Sequence, residues 1–386
     1  MTSHIYLDNN ATTPLDHRVW EVMGQADNLL PLNPSSTHFF GRKAKQLLNQ
    51  SRLSIAQSFS VHPQEIVFTS GGTESMNLLI MGHLSHQIDS HVISSDIEHP
   101  SVQLPLQALE KRGLSVTYLP SGRWGAPRPS AVEQAIRKKT RLIVLSMANH
   151  ETGVRLEVDS IAEIAHRRRV PLILDGVAFL GKERLSVPQG VQGIGFSAHK
   201  IHGPRGIGCL LVRKGFAISP TLLGGSQESG LRAGTENLSG ALGMAAAVEI
   251  LSSSLAEDRE KMKMMRHLLE TELRSHIPGL EVNGEGTRLS NTSHLYFPGI
   301  SGDVLLMHLD LDGVAVSRTS ACDSGREGPS PILLKMGFSK ERASNSVRFS
   351  FSRMNTKEET MTAISKVVKI FRRLRHTSSS PSRSER

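Results

Sequence analysis

The sequence predicts an α/β protein with a mostly parallel large-domain sheet and a smaller α/β C-terminal domain. Two observations carry this. Between about residues 60 and 215, short β-type runs alternate with helical patterns, as repeated α/β units require. Several runs are almost continuously apolar, as strands covered by helices on both faces must be. In order they are EIVFT (65–69), HVISS (91–95), LSVTYL (114–119), RLIVLSM (141–147), PLILD ending on Asp175, GIGFS (193–197) and GCLLVRKG (208–215). The stretch EDREKMKMMRHLLETELRSHI (257–277) is rich in strong helix formers and reads as a long amphipathic helix. It places a boundary near residue 258. The large domain is expected over 14–258 and the small one over 1–13 and 259–375, with strand-like SHLYFPG (293–299) and SVRFSFS (346–352). Residues 376–386, rich in Ser and Arg, read as a disordered basic tail.

Composition narrows the function. With 38% hydrophobic residues in 386, a sizeable core is expected. No run of about 18 apolar residues stands out, and MTSHIYLDNN lacks the pattern of a secretory signal. A cytoplasmic protein without a membrane partner is the expectation. The net charge is +9, but much of the excess sits in Arg372, Arg373, Arg375, Arg383 and Arg386 at the C-terminal end. Aromatics are only 4% and no zinc-finger spacing occurs, so a solvated basic surface is expected rather than a nucleic-acid face.

The two cysteines differ in setting. Cys209 lies in apolar GIGCLLVRKG, where a buried inert thiol is expected. Cys322 lies in TSACDSGREGPS, a polar glycine-containing loop in which a thiol can be exposed and reactive. They are too far apart for a metal-site pattern.

In a parallel sheet, ligands gather at the carboxyl ends of the strands, so the residues after each run matter most. EIVFT leads to SGGTES, where Gly71, Gly72 and Thr73 open a helical run and can cradle an anion on backbone N–H groups. A GGT turn alone is equally an ordinary connection. HVISS leads to His99. PLILD ends on Asp175, which can face a protonated ring nitrogen or, on local grounds, cap the following segment. GIGFS leads to SAHKIHGPRGIG (197–208), holding Lys200 in a turn dense with Ser, His, Gly and Pro, a setting that suits a Schiff-base lysine.

With these residues in view, the chain resembles the cysteine desulfurase (NifS/IscS-like) group of class V aminotransferases. The matching stretches are YLDNNATTPLD (6–16), NPSSTHFFGR (33–42), TSGGTESMN (69–77), EHPSV (98–102), ANHETG (148–153), SAHKIHGPRGIG (197–208), GGSQESGLRAGTEN (224–237), SACDSG (320–325) and VRFSF (347–351). The resemblance implies the fold of PLP-dependent transferases (fold type I) and pyridoxal 5'-phosphate as cofactor. It implies that Lys200 binds the cofactor covalently, that Asp175 pairs with its ring nitrogen, and that His99 stacks on the ring and moves protons. Gly72, Thr73, Ser197 and His199 would hold the phosphate, and Thr235 would reach the phosphate of a neighbouring subunit in a homodimer. Asn149 would lie near substrate and cofactor, Arg348 would clamp the carboxylate of L-cysteine, and Cys322 would take the sulfur as a persulfide, leaving L-alanine. A sulfur-acceptor protein, such as an iron–sulfur scaffold, is the implied partner.

The chain also departs from that pattern. Ala178 stands where the family has a Gln that donates to the cofactor, and His150 where it has a second Asn. Asp323 replaces Ser or Thr beside the cysteine, a change expected to raise the thiol pKa. These departures keep two other readings open: a selenocysteine lyase-like enzyme, and a weakly active paralogue serving as a sulfur-transfer scaffold.

Overall fold

The structure is a computed structural model and describes residues 4–27, 32–319 and 328–378. Its centre is a seven-stranded sheet in the order Ile66–Thr69, Gly208–Val212, Val191–Ser197, Leu172–Asp175, Thr140–Ser146, His91–Ser95, Ser115–Leu119. The pairs from Ser115–Leu119 through Val191–Ser197 are parallel. Gly208–Val212 runs antiparallel to both neighbours, so Ile66–Thr69 points the same way as the parallel set. All seven expected runs are strands. Most are apolar on both faces because helices cover both: one layer holds Ile55, Ala56 and Met244 against Ile143 and Leu174, and the other holds Leu78, Leu79 and Leu106 against Val144 and Ile173.

The helix expected over 257–277 is longer, running Leu238–His276. Its start is fixed by Asn237, whose side-chain oxygen accepts the Gly240 N–H at 3.0 Å. Its first half, LSGALGMAAAVEIL, carries no amphipathic stripe and reads as nothing in particular alone, because both sides of it are used in packing. Leu238, Ala241, Met244 and Val248 join the main core, and Met262, Met265, Leu269 and Leu273 join a second core. An 18-residue window of this helix is apolar enough to cross a membrane by composition, but half of it is buried inside the protein.

The second core lies under a three-stranded antiparallel sheet, Ser346–Ser350, Thr292–Tyr296 and Glu281–Val282. The N-terminal segment links it to the large sheet: Ile5–Tyr6 pairs with Val314–Ala315, Asn9 N–H donates to Ser350, and Thr13 N–H donates to the carbonyl of His199. The helix Lys357–Ser378 continues through residues 376–378, which were expected to be disordered; its Lys- and Arg-rich outer face and buried Val367, Ile370 and Phe371 sustain it to that point. Residues 379–386 lie outside the described residues.

Candidate active site

Six strands of the large sheet point the same way, and the segments leaving five of them meet around a cavity of about 280 Å³. Gly72 and Thr73 come from the first, His99 and Ser101 from the second, Ser146 and His150 from the third, Asp175, Val177 and Ala178 from the fourth, and Ser197, His199 and Lys200 from the fifth. Asn10 and Ala11 enter from the N-terminal segment and Arg348 from the small sheet.

Lys200 closes a short 3-10 turn, Ala198–Lys200, directly after its strand. Its ammonium donates to the main-chain carbonyls of Asn10 and of Ala11, the latter at 2.9 Å. Thr13 fixes the same turn from the other side, its N–H and hydroxyl both donating to the His199 carbonyl at 2.9 Å. The lysine is thus aimed by the N-terminal segment, which sequence reasoning had credited with no role.

Asp175 is buried, and burial pushes its carboxyl up, opposed by the positive charges of His99 and Lys200. Its Oδ1 accepts the Val177 N–H at 2.9 Å, so it does cap the segment after it, although that segment is a turn and not a helix. The local hydrogen bond is thus present, and the same residue also lines the cavity. A second buried carboxyl, Glu98, was missed by sequence reasoning. It accepts from Ser95 at 2.6 Å and from Ser146, and burial raises it to about 7.

His99 caps the helix Pro100–Glu110, with Pro100 at the first helical position where its missing N–H costs nothing. Its Nδ1 accepts the Ser101 N–H at 3.1 Å. A backbone N–H can only donate, so in the neutral ring the proton sits on Nε2. The ring meets His150 edge to face, centroids 5.2 Å apart. Burial, with His99, Arg348 and Lys200 nearby, holds His150 well below the usual imidazole range. His199 is depressed to about 4 by burial and by Lys200, and its Nδ1 lies 3.1 Å from the Thr12 hydroxyl.

Arg348 is buried at the wall of the cavity, bonded to Asp8 at 2.7 Å and to the His150 carbonyl at 2.9 Å, while its Nε has no hydrogen-bond partner among the described residues. Asn149 is where expectation and structure differ. Its side-chain oxygen accepts from Glu151 and Thr152 N–H and from the Thr152 hydroxyl, and its nitrogen donates to the Ile97 carbonyl. That amide is spent on shaping the turn that carries His150, and His150 rather than Asn149 lines the cavity. Thr235 is exposed and outside the cavity of its own chain. Cys322 and Asp323 lie outside the described residues, while Cys209 is buried and inert, its thiol pushed up by burial.

The family model for aminotransferase class V matches residues 5–362. The cysteine desulfurase IscS of Dictyoglomus turgidum is 37% identical over 380 residues, covering 97% of this chain and 96% of that protein. The putative cysteine desulfurase IscS 1 of Bacillus subtilis is 37% identical over 375 residues, covering 96% and 99%. A solved NifS-like protein superposes with a TM-score of 0.90 at 32% identity, covering 96% of this chain and 99% of that one. The family depends on pyridoxal phosphate, and the residues here fit that group. A Cβ on Gly72 would stand 2.4 Å from Val177 Cγ2, so only glycine lets the N-terminus of the helix Gly72–Leu84 open against this wall as an anion cradle. Asp175 is a buried acid, and Lys200 brings an amine to the same cavity. By sequence, fold and site the chain belongs to the cysteine desulfurase group of the class V aminotransferase family.

Proposed function

We propose that this protein is a pyridoxal-phosphate-dependent cysteine desulfurase that converts L-cysteine to L-alanine and holds the sulfur as a persulfide on Cys322. The observation that carries the reading is the convergence of Lys200, Asp175 and His99 on one cavity in a chain so similar to enzymes of that name. Bound pyridoxal phosphate supplies an electron sink for the amino acid's α-carbon, which loosens the α-proton and then the bond to sulfur. Lys200 would hold it, Asp175 would keep its ring nitrogen protonated, and Gly72, Thr73, Ser197 and His199 would take the phosphate. His99 carries a proton on Nε2 in its neutral form and would exchange protons with the substrate. Arg348, its plane fixed by Asp8 and the His150 carbonyl, would receive the substrate carboxylate. The Cys322 thiol attacks the loosened sulfur; one S–S bond forms, one C–S bond breaks, and the freed carbon takes a proton.

A homodimer in the cytoplasm is part of this reading, with Thr235 serving the phosphate site of the neighbouring subunit. Support comes from the exposure of Thr235 together with that of Leu222 and Leu223, which is 82% exposed, in the preceding segment. A sulfur-acceptor protein completes the cycle.

The test is alanine and sulfide release from L-cysteine by the wild type, Lys200→Ala and Cys322→Ala. Both variants are expected to lose at least 100-fold in alanine formation, as removal of a covalent participant does. Wild-type rates in both would refute the reading. Alanine formation by the wild type from selenocysteine but not from cysteine would favour the selenocysteine lyase-like alternative.

A further inference from the structure

Lys182 sits directly behind Lys200 and has no place in the scheme above. It is 4% exposed. Its ammonium donates to the main-chain carbonyl of Lys200 and reaches the Leu180 carbonyl at 3.4 Å. Among the described residues no carboxylate pairs with it: its neighbour Glu183 serves Arg155 and Arg259. The titratable groups facing it are Lys200, His199 and His202 of the lysine turn and Arg353 of the small-sheet side. Asp16, the acid touching this set, is shared between Arg18 and Arg353. Leu251 and Met262 complete a small hollow beside the amine.

A buried amine without a counter-charge is costly, and such groups gather where chemistry needs them. We propose that Lys182 is a positioning residue for Lys200, gripping the turn by its carbonyl and setting a second positive charge beside the Lys200 amine. The proposal rests on the reading of Lys200 as the lysine that holds the cofactor. Burial and the charge of Lys200 together lower Lys182 to about 7, and like-charge repulsion is mutual. A lysine amine must be uncharged to join an aldehyde with loss of water, and a neighbouring cation is one established way to make it so. Once Lys200 is engaged, the repulsion on Lys182 falls and Lys182 would be the amine that keeps its proton. Its charge then opposes protonation of the linked Lys200 nitrogen.

The experiment is a pH titration of visible absorbance in the holoenzyme, comparing wild type with Lys182→Met, Lys182→Gln and Lys182→Arg. Removing the charge in the Met and Gln variants is expected to raise the titration midpoint by about one to two pH units, the size of one unit charge several ångströms away at intermediate dielectric. Lys182→Arg, which keeps the charge, is expected to keep the wild-type midpoint or fall below it. An unmoved midpoint in Met and Gln, or an Arg variant shifted as far as Met, overturns the proposal. Loss of cofactor in Met and Gln but not in Arg supports it; loss in all three points to packing alone and overturns it. A wild type that never binds pyridoxal phosphate at Lys200 would instead remove the underlying reading.

Discussion

Ser146 stands between two buried carboxyls: it pairs in register with Asp175 across the sheet, and its hydroxyl donates to Glu98. Asp175 faces the cavity, where a cation can offset its burial, whereas Glu98 takes the hydroxyls of Ser95 and Ser146. Glu98 is raised to about 7, above the usual carboxylate range. Between about pH 4.5 and 7 the folded chain therefore holds a proton there that the unfolded chain has released. The sign follows: this group's contribution is lost as pH rises through that window. Glu98→Gln, which keeps the shape without the charge, is expected to gain about 2 kcal/mol over wild type at pH 8 and nothing at pH 5. Urea denaturation at both pH values checks it, and an equal effect at the two would show that Glu98 stays ionised throughout.

Edges of sheets expose backbone groups that need partners, and the strand Ile66–Thr69 is such an edge. Arg52, from the helix Phe39–Phe59, and Glu228, from the loop after Gly224, do what another strand would do. Glu228 accepts the Phe68 N–H at 2.7 Å, Arg52 donates to the Ile66 carbonyl, and the two side chains join in a fork at 2.6 and 2.8 Å. Both are largely buried, at 16% and 1% side-chain exposure, so removing one partner strands the other. Glu228→Gln is expected to lower stability by about 3 kcal/mol, and Arg52→Met combined with it by less than the sum of the singles. Additive losses in a double-mutant cycle would show that the two act independently. This pair also matters for the site, because the edge strand delivers Gly72 and Thr73 to the cavity.

Across the whole molecule, charge is managed by burying neutral imidazoles. His202 is lowered to about 4 and His294 to about 3, each chiefly by burial, and His294 donates from Nε2 to the Arg318 carbonyl at 3.1 Å. Their unfolded values lie near 6.5, so below that pH the unfolded chain takes protons that the folded chain refuses. Stability is fully present above about 6.5 and is lost as pH falls toward 4. Glu98 and Asp175 work in the opposite sense, but the depressed imidazoles, His199 among them, outweigh them. A net loss of about 3 kcal/mol is expected between pH 7 and pH 5. A denaturation midpoint equal or higher at pH 5 would contradict this.

Much was legible before any coordinates. The seven strands, the helices between them, and Lys200, Asp175, His99, Ser197 and His199 at strand ends follow from hydrophobic period and from chemistry-bearing residues placed after apolar runs. The apolar half of the helix Leu238–His276 was not legible, because a segment buried on several sides loses the one-sided pattern that marks a helix. Asn149 was misplaced because a sequence does not show which hydrogen bonds an amide has already spent. By itself, then, the sequence determined the strand-and-helix order and which residues stand at the ends of the strands, since both are local properties of period and spacing. Only the tertiary structure decided that the N-terminal carbonyls of Asn10 and Ala11 aim Lys200, that Lys182 backs it by holding its carbonyl, and that His150 takes the cavity wall from Asn149. Those contacts join residues far apart in the chain, and burial and charge there depend on neighbours that no local pattern names.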